Sequence, residues 1–217
     1  MRFVNFKERK FFSIISYISS NFLEEYFQKI KNTKHQHFKW RGLTLMKDPM
    51  SVSILMQLLQ DLKPKTILEF GTFDGGSALY MEDVMKSIGQ DCDIYTFDID
   101  EDNVKLPNDT KIKFYKLDNY KIKQFVIDNI DIFNNMERPV LIIEDSHHNV
   151  IELLDEIDTF LVDGDYIIVE DTIDKKKYNE LSLFLEGKEY LVDTHYCDFW
   201  GYNNNWNFNS YLKKVDK

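Results

Sequence analysis

Apolar residues recur along the chain with two different periods. Several short runs, rich in apolar residues and ending in or near an acid, have the composition of buried β-strands. They cover residues 66–70, 93–100, 112–118, 140–145 and 166–171. Stretches with helical spacing separate most of these runs, and a further helix is predicted before them; the predicted helices are 49–62, 76–88, 121–133 and 149–161. This alternation predicts a parallel sheet that is covered on both faces.

Two more strands are predicted near the end of the chain. They cover residues 188–194 and 205–214, which are close enough to pair antiparallel. Together the runs predict an α/β fold, a doubly wound, Rossmann-like sheet of about seven strands whose last strand is antiparallel.

The first forty residues follow a different pattern. Apolar residues from Phe11 to Ile30 continue at helical spacing, and a basic linker follows them. We predict an amphipathic helix that packs on the domain or on another subunit, so a homo-oligomer is the expected assembly. The expected division of the chain is an N-terminal helix and linker over 1–40 and one large domain over 41–217.

Composition narrows the class of protein. With 43% hydrophobic and 15% aromatic residues, a chain of 217 residues can bury the core of a globular domain. A formal net charge of -10 argues against nucleic-acid binding, which requires clustered cations. Cys92 and Cys197 lack metal-type spacing and are too few for a disulfide framework, so we expect a reducing compartment, the cytoplasm. No stretch has the length and apolar character of a membrane span.

The stretch LEFGTFDGGSALY, residues 68–80, joins the first of these runs to a helix. The dinucleotide fingerprint fails because Phe73 occupies its second glycine position, and the phosphate-loop pattern fails because Ser77 stands where lysine is needed. The remaining pattern, with Glu69, Gly71 and Gly75, resembles the E-x-G-x-x-x-G motif of class I S-adenosylmethionine-dependent methyltransferases. An acid there can attract the cationic part of the cofactor, and glycines let it approach the backbone. A simple strand–turn–helix connection would use the same glycines.

Acids at the ends of later strands extend this site. Asp98 follows the next strand at a distance comparable with the ribose-binding acid of dinucleotide folds, and Asp100 is the reserve candidate. Asp118 ends the strand after that, where such folds contact the adenine region. The predicted cofactor-binding residues are therefore Glu69, Gly71, Thr72, Gly75, Ser77, Asp98, Asp100 and Asp118. For the three aspartates, a solvated acid at a strand end is the alternative.

A second group of candidate residues lies further along the chain. If their strands are neighbours, Asp145, Glu170 and Asp171 share one edge of the sheet and provide the oxygen ligands that Mg²⁺ or Mn²⁺ prefers. His148, three residues beyond Asp145, is a candidate base for a substrate hydroxyl, and His147 competes with it for that role. The alternative is that Asp145 caps a helix and the other residues are structural.

Taken together, these segments resemble one family, the metal-dependent methyltransferases grouped with cephalosporin hydroxylase-like and rhamnosyl O-methyltransferase proteins. The resemblance runs from about Trp40 to Leu212. It rests on WRGLTLMKDPMSV, LEFGTFDGGSAL, FDID, DSHH, VEDT and WNFNSYLKK.

The resemblance implies an S-adenosylmethionine-dependent methyltransferase domain. It implies that the metal ligands are Asp145, Glu170 and Asp171 and that His148 is the base. The sequence departs from the family pattern at His147, where some members have an acid. The implied acceptor is a sugar hydroxyl, such as that of a nucleotide-activated or capsular heptose. Hydroxylation is not supported, since no His-x-Asp or His-x-Glu occurs among the five histidines. A phenolic or other small acceptor and a non-catalytic interaction protein are the alternatives.

Overall fold

The computed structural model of the protein describes residues 1–12 and 38–216. These residues contain an eight-stranded sheet and a separate two-stranded hairpin. The strands are β1 Phe3–Val4, β2 Phe38–Trp40, β3 Leu43–Leu45, β4 Thr66–Phe70, β5 Asp93–Asp98, β6 Lys113–Lys116, β7 Val140–Glu144, β8 Tyr166–Val169, β9 Tyr190–Asp193 and β10 Tyr211–Lys214.

The large sheet is mixed, with the order β1-β9-β10-β8-β7-β4-β5-β6. Strands β8, β7, β4, β5 and β6 run parallel, as the buried apolar runs predict. Strand β10 is antiparallel to both β8 and β9, and β1 is antiparallel to β9.

Along the chain the helices alternate with most of the strands, and they contact one another in two groups. Their bounds are α1 Pro49–Leu62, α2 Gly76–Ser87, α3 Ile122–Asp128, α4 Ile130–Asn134, α5 Val150–Asp158, α6 Lys175–Phe184 and α7 Thr194–Cys197, with 3₁₀ turns at Phe6–Glu8, Glu101–Asn103 and Asn119–Lys121. Helix α2 contacts α1 and the hairpin, whereas α5 contacts α3 and α6. Between them every residue of β4, β7 and β8 is buried.

The order of the strands defines where a ligand would bind. From β4 the chain proceeds outward to β5 and β6, then returns to place β7 on the other side of β4. In open sheets of this kind, ligands bind at the carboxyl ends of the strands where the order reverses. The relevant edge is therefore formed by the residues that follow β4 and β7.

Most of the predicted elements are confirmed. The bounds of α1 agree with the prediction because Asp48 caps it, accepting hydrogen bonds from the amides of Met50 and Ser51, and Pro49 begins it. The predicted helix 121–133 is divided into α3 and α4 at Asn129, whose side-chain amide donates to the Phe125 carbonyl at 2.9 Å.

Other parts of the structure were not predicted. Strand β1, the hairpin and α6 are additional elements, and β1 makes the sheet eight-stranded. The predicted amphipathic helix falls almost entirely on residues 13–37, which lie outside the described residues, so it and the division at residue 40 remain predictions. No helix in the described ranges combines the length and apolar character needed to cross a membrane.

Candidate active site

The turn after β4 lies directly against the end of β7. Gly71 has φ +111°, and a Cβ atom there would be 2.6 Å from the Asp145 carbonyl oxygen. The Asp145 amide also donates to the Phe70 carbonyl at 2.7 Å. Glycine is required at residue 71 both by its φ and by this close approach. The predicted cofactor turn and the predicted metal group are therefore neighbours.

Glu69 lies beneath this turn and is completely buried. Its carboxylate accepts hydrogen bonds from the Ser77 hydroxyl and, at 2.7 Å, from the Thr96 hydroxyl. Burial raises the pKa of Glu69 to about 7, although the Lys47 ammonium acts in the opposite direction. The hydroxyls of Thr72 and Thr96 are 2.7 Å apart, so Glu69 is fixed by a buried hydroxyl network.

The hairpin β2–β3 holds the other side of the turn. The Asp74 carboxylate accepts the Thr44 amide hydrogen at 2.9 and 3.1 Å. A Cβ atom on Gly76 would be 2.0 Å from the Thr44 carbonyl oxygen, so the hairpin and the start of α2 are in direct contact. Gly75, at φ +98°, is the N-cap of α2. Sequence reasoning did not identify Asp74 as part of this arrangement.

The acids after β5 and β6 line the same edge. Asp98 accepts hydrogen bonds from the amides of Phe73, at 2.9 Å, and Asp100, at 3.0 Å. Asp118 caps the 3₁₀ turn that follows β6 and accepts the Tyr120 amide hydrogen at 3.1 Å. Large apolar side chains beside these acids are exposed, to 44% at Phe73, 58% at Ile99 and 70% at Tyr120. Carboxylates next to exposed apolar surface suit a ligand with hydroxyls and a flat ring.

Two of the predicted metal ligands meet beside the turn. Atoms of Asp145, His147 and Asp171 lie within 4.8 Å of one another, and we call these three residues the acid–histidine cluster. His147 Nε2 is 3.5 Å from Asp145 Oδ1 and 3.4 Å from Asp171 Oδ2. Burial and the nearby Asp145 carboxylate raise the pKa of Asp171. Asp145 does not cap α5, whose N-cap is Asn149.

Glu170 adjoins this cluster but contacts a lysine. Its Oε1 is bound to the Lys47 ammonium, which also lies 3.4 Å from Asp145 Oδ2. Burial raises the pKa of Glu170 to about 8, while Lys47 acts in the opposite direction. Burial lowers the pKa of Lys47, yet the carboxylates of Glu170 and Asp145 raise it well above its ordinary value. Lys47 therefore supplies a fixed positive charge at this position.

The two histidines occupy different surroundings. The backbone of His147 has φ +61°, and its ring faces Asp145 and Asp171. Its amide donates a hydrogen bond to Glu144 Oε1 at 3.2 Å. His148, which is exposed as His147 also is, accepts a hydrogen bond at its carbonyl from the Asn119 side-chain amide at 2.9 Å. Among the described residues, His148 is not within the group of ligating atoms that includes His147.

Lys177, on the unpredicted helix α6, is a second buried lysine at the site. Its ammonium lies 2.9 Å from Glu144 Oε2 and 3.1 Å from His147 Nδ1. The motif MKDP, within the family resemblance, contains Lys47 and was a signal that could have identified it. No comparable signal marks Lys177, which follows two other lysines on a polar stretch.

Comparison with known proteins assigns the chain to a family. The model of the family Rhamnosyl O-methyltransferase/CmcI matches residues 32–182. The chain belongs to this family. The rhamnosyl O-methyltransferase of Mycobacterium leprae (strain TN) is 28% identical over 138 residues, which are 61% of this chain and 59% of that protein. A protein of the same name from Mycobacterium tuberculosis (strain ATCC 25618 / H37Rv) is 27% identical over 138 residues, 61% of this chain and 56% of that protein. The chain thus spans less than two thirds of the length of these relatives.

Solved structures of CmcI share the fold of this chain. One with Mg and S-adenosylmethionine has a TM-score of 0.71 and 27% identity, covering 82% of this chain and 77% of that chain. An apo structure has a TM-score of 0.70 and 26% identity, covering 83% and 77%. The predicted family and the predicted doubly wound fold are both confirmed.

Proposed function

We propose that this member of the Rhamnosyl O-methyltransferase/CmcI family transfers a methyl group from S-adenosylmethionine to a sugar hydroxyl. The observation that carries the proposal is the direct contact between the Gly71 turn and Asp145. A cofactor seated on that turn would have its reactive end beside the acid–histidine cluster. The names of the relatives, and the CmcI structure with Mg and S-adenosylmethionine, support the same reaction.

The proposed cofactor site follows the turn and the neighbouring strand ends. Gly71, Thr72, Gly75 and Ser77 form the seat for the methionine part, with Glu69 beneath it as a buried counter-charge. Further along the edge, Asp98 is the proposed partner of the ribose hydroxyls, with Asp100 beside it. Asp118 is proposed to face the adenine region, and the exposed apolar side chains next to it offer a surface for the ring.

We propose that a divalent cation, Mg²⁺ or Mn²⁺, is held by Asp145, Glu170 and Asp171. The donor chemistry fits, because carboxylate oxygens of Asp145 and Asp171 already approach one another closely and Glu170 is adjacent. Glu170 would contribute its carboxylate to this site while its Oε1 stays bound to Lys47. A bound cation would lower the pKa of the acceptor hydroxyl.

His148 is the proposed base, and His147 is the competing candidate. The base takes the proton of the acceptor hydroxyl as the oxygen forms its bond to the methyl carbon. The carbon–sulfur bond breaks at the same time, its electron pair stays on sulfur, and S-adenosylhomocysteine leaves. Both histidines are exposed, so an acceptor could reach either; His148 is proposed because the ring of His147 already faces Asp145, Asp171 and Lys177.

The acceptor we propose is a nucleotide-activated or capsular sugar, such as a heptose. Calorimetry with S-adenosylmethionine is the first test, because absence of binding would contradict every enzymatic interpretation and favour an interaction protein. Methyl transfer is then measured by mass spectrometry against nucleotide-activated rhamnose and heptose and against a catechol, with added Mg²⁺ or with EDTA. Methylation of the catechol alone would replace the sugar with a phenolic acceptor.

The assembly and the compartment are separate proposals. We propose a homo-oligomer, supported by the helical spacing of apolar residues between Phe11 and Ile30. We also propose a cytoplasmic location, where the free thiols of Cys92 and Cys197 would stay reduced. Light scattering after size-exclusion chromatography gives the oligomer size, and a monomer at micromolar concentration would contradict the first of these proposals.

A further inference from the structure

We propose that Lys177 is a positioning residue that fixes the tautomer of His147, with the hydrogen on Nε2. In this state the Nε2–H of His147 faces the carboxylates of Asp145 and Asp171, and His147 does not serve as a metal ligand. The consequence is a site that favours hard cations, bound by oxygen, over cations that prefer nitrogen ligands.

The first step in the argument is the hydrogen-bonding chemistry of the pair. The Lys177 ammonium lies 3.1 Å from His147 Nδ1. An ammonium has three donors and no acceptor, so the nitrogen that faces it must present a lone pair. Neutral imidazole has one N–H, and with Nδ1 as the acceptor that hydrogen is on Nε2.

The second step is the direction of the other nitrogen. His147 Nε2 faces Asp145 Oδ1 at 3.5 Å and Asp171 Oδ2 at 3.4 Å. Both are carboxylate oxygens, which are acceptors, so an Nε2–H is the complementary group. Coordination of a metal through Nε2 would require its lone pair, which this tautomer does not provide.

The third step is that the lysine is held in place by a buried network. Lys177 is buried, and its ammonium also forms an ion pair with Glu144 Oε2 at 2.9 Å. Glu144 Oε1 accepts hydrogen bonds from the Ser146 amide at 3.0 Å, the Ser146 hydroxyl at 2.7 Å and the His147 amide at 3.2 Å. Glu144 thus holds both the backbone at His147 and the Lys177 ammonium that faces the His147 ring.

The consequence for cation choice rests on the proposed metal site, whereas the tautomer does not. Zn²⁺ binds readily to imidazole nitrogen, while Mg²⁺ prefers oxygen ligands. Without the ammonium, Nδ1 can carry the hydrogen, so Nε2 can bind a cation held beside the two aspartates; when no cation is present, the two carboxylates still favour Nε2–H. Lys177→Met should therefore create a nitrogen ligand and strengthen Zn²⁺ binding.

The tautomer is tested on protein labelled with ¹⁵N-histidine, first without metal and then with Zn²⁺ added. Long-range ¹H–¹⁵N spectra are recorded near pH 8.5, well above the ordinary imidazole pKa of about 6.5. His147→Asn identifies the His147 signals. We expect an Nε2–H tautomer in the unaltered protein and in Lys176→Met, a matched control whose lysine side chain is 85% exposed. In Lys177→Met we expect Nε2–H to persist without metal and Nδ1–H to appear when Zn²⁺ is added, whereas the unaltered protein keeps Nε2–H in both states. An Nδ1–H tautomer in the unaltered protein, or no change in Lys177→Met on addition of Zn²⁺, would overturn the proposal.

Cation choice is tested by calorimetry with Zn²⁺ and Mg²⁺ alone. We expect Lys177→Met to bind Zn²⁺ at least about tenfold more tightly than the unaltered protein, with Mg²⁺ affinity changed by less than about threefold. The double variant Lys177→Met/His147→Asn should bind Zn²⁺ no more tightly than the unaltered protein. If Lys177→Met does not fold, His147→Asn still decides: unchanged Zn²⁺ affinity supports the proposal, and a loss of about tenfold or more would make His147 a ligand and overturn it. A failure of methyl transfer with the expected tautomer would contradict the proposed function alone.

Discussion

The Lys47 ammonium lies 3.4 Å from Asp145 Oδ2 and is bound at the same time to Glu170, with a side chain completely shielded from solvent. A buried cation between two buried or half-buried carboxylates neutralises charge that would otherwise be repulsive. It also fixes Glu170 next to the acid–histidine cluster. Lys47 is therefore part of the architecture of the site and not an exposed lysine.

Replacing Lys47 with methionine should destabilise the metal-free protein strongly. The change removes the cation that favours the ionised form of the buried Glu170 carboxyl, and loss of one partner of a buried pair costs up to about 3–5 kcal/mol of unfolding free energy where the carboxyl stays ionised. Urea unfolding at about pH 9 in the presence of EDTA measures this. Saturating Mg²⁺ should restore more stability to Lys47→Met than to the unaltered protein, since the cation replaces the missing charge.

The control is Lys176→Met, which removes an exposed lysine. It should change the unfolding free energy by less than about 0.5 kcal/mol. A Lys47→Met protein as stable as this control would show that Lys47 does not balance the charge of the acids.

Removing Asp145 should separate methyl transfer from cofactor binding. Asp145→Ala takes one carboxylate from the proposed cation site, so turnover should fall to background, as it should when EDTA is added to the unaltered protein. The dissociation constant of S-adenosylmethionine, measured by calorimetry, should change by less than about threefold, because the turn and Asp98 remain. Asp163→Ala, at an exposed position, is the control. Full activity in EDTA would contradict the role of the metal.

The two adjacent histidines should differ in their effect on rate. His148→Ala should reduce kcat by roughly 10²- to 10⁴-fold, the range for loss of a general base. His147→Ala should have a smaller effect on kcat, because in the proposed arrangement His147 neither takes the proton nor binds the cation. Single-turnover assays at saturating S-adenosylmethionine compare the two variants. The reverse order of effects would assign the base to His147.

A substitution at Gly71 tests the contact between the cofactor turn and Asp145. Gly71→Ala places a Cβ atom against the Asp145 carbonyl, so it should weaken S-adenosylmethionine binding and destabilise the fold by about 2 kcal/mol or more. Gly89 also has positive φ, +69°, but a Cβ atom there would meet nothing within 4 Å. Gly89→Ala should therefore cost only about 1 kcal/mol and leave binding unchanged. Equal effects of the two changes would show that backbone conformation alone matters at Gly71.

The fold was largely predictable because its buried strands are short, apolar and regularly spaced. Helix α6 was missed because its sequence begins with three lysines, although Tyr178, Leu181 and Phe184 are buried. The positions of Lys47 and Lys177 were not predictable from residue type, since lysine is rarely buried without a partner. The inward turn of His147 depends on its positive φ and on hydrogen bonds to Glu144, which local sequence does not reveal.

The raised pKa of Glu69 should make the stability of the protein depend on pH. Burial raises this pKa from its ordinary value of 4.5 to about 7, so the folded protein binds the proton more tightly than the unfolded chain. The stabilising effect is complete below pH 4.5 and is lost as the pH rises towards 7. The loss is on the order of 3 kcal/mol, at about 1.4 kcal/mol for each pH unit.

Glu69→Gln removes this titration while keeping the shape of the side chain. Relative to the variant, the unaltered protein should lose stability steadily between pH 5 and pH 7 and should show no further relative change above about pH 8. Urea unfolding in EDTA at each pH gives the difference, and Glu186→Gln, at an exposed position, should show no such trend. If the difference between the unaltered protein and Glu69→Gln is constant from pH 5 to pH 8, Glu69 keeps its charge throughout. It would then be a permanent anion beneath the turn, paired with Lys47 more strongly than its burial implies.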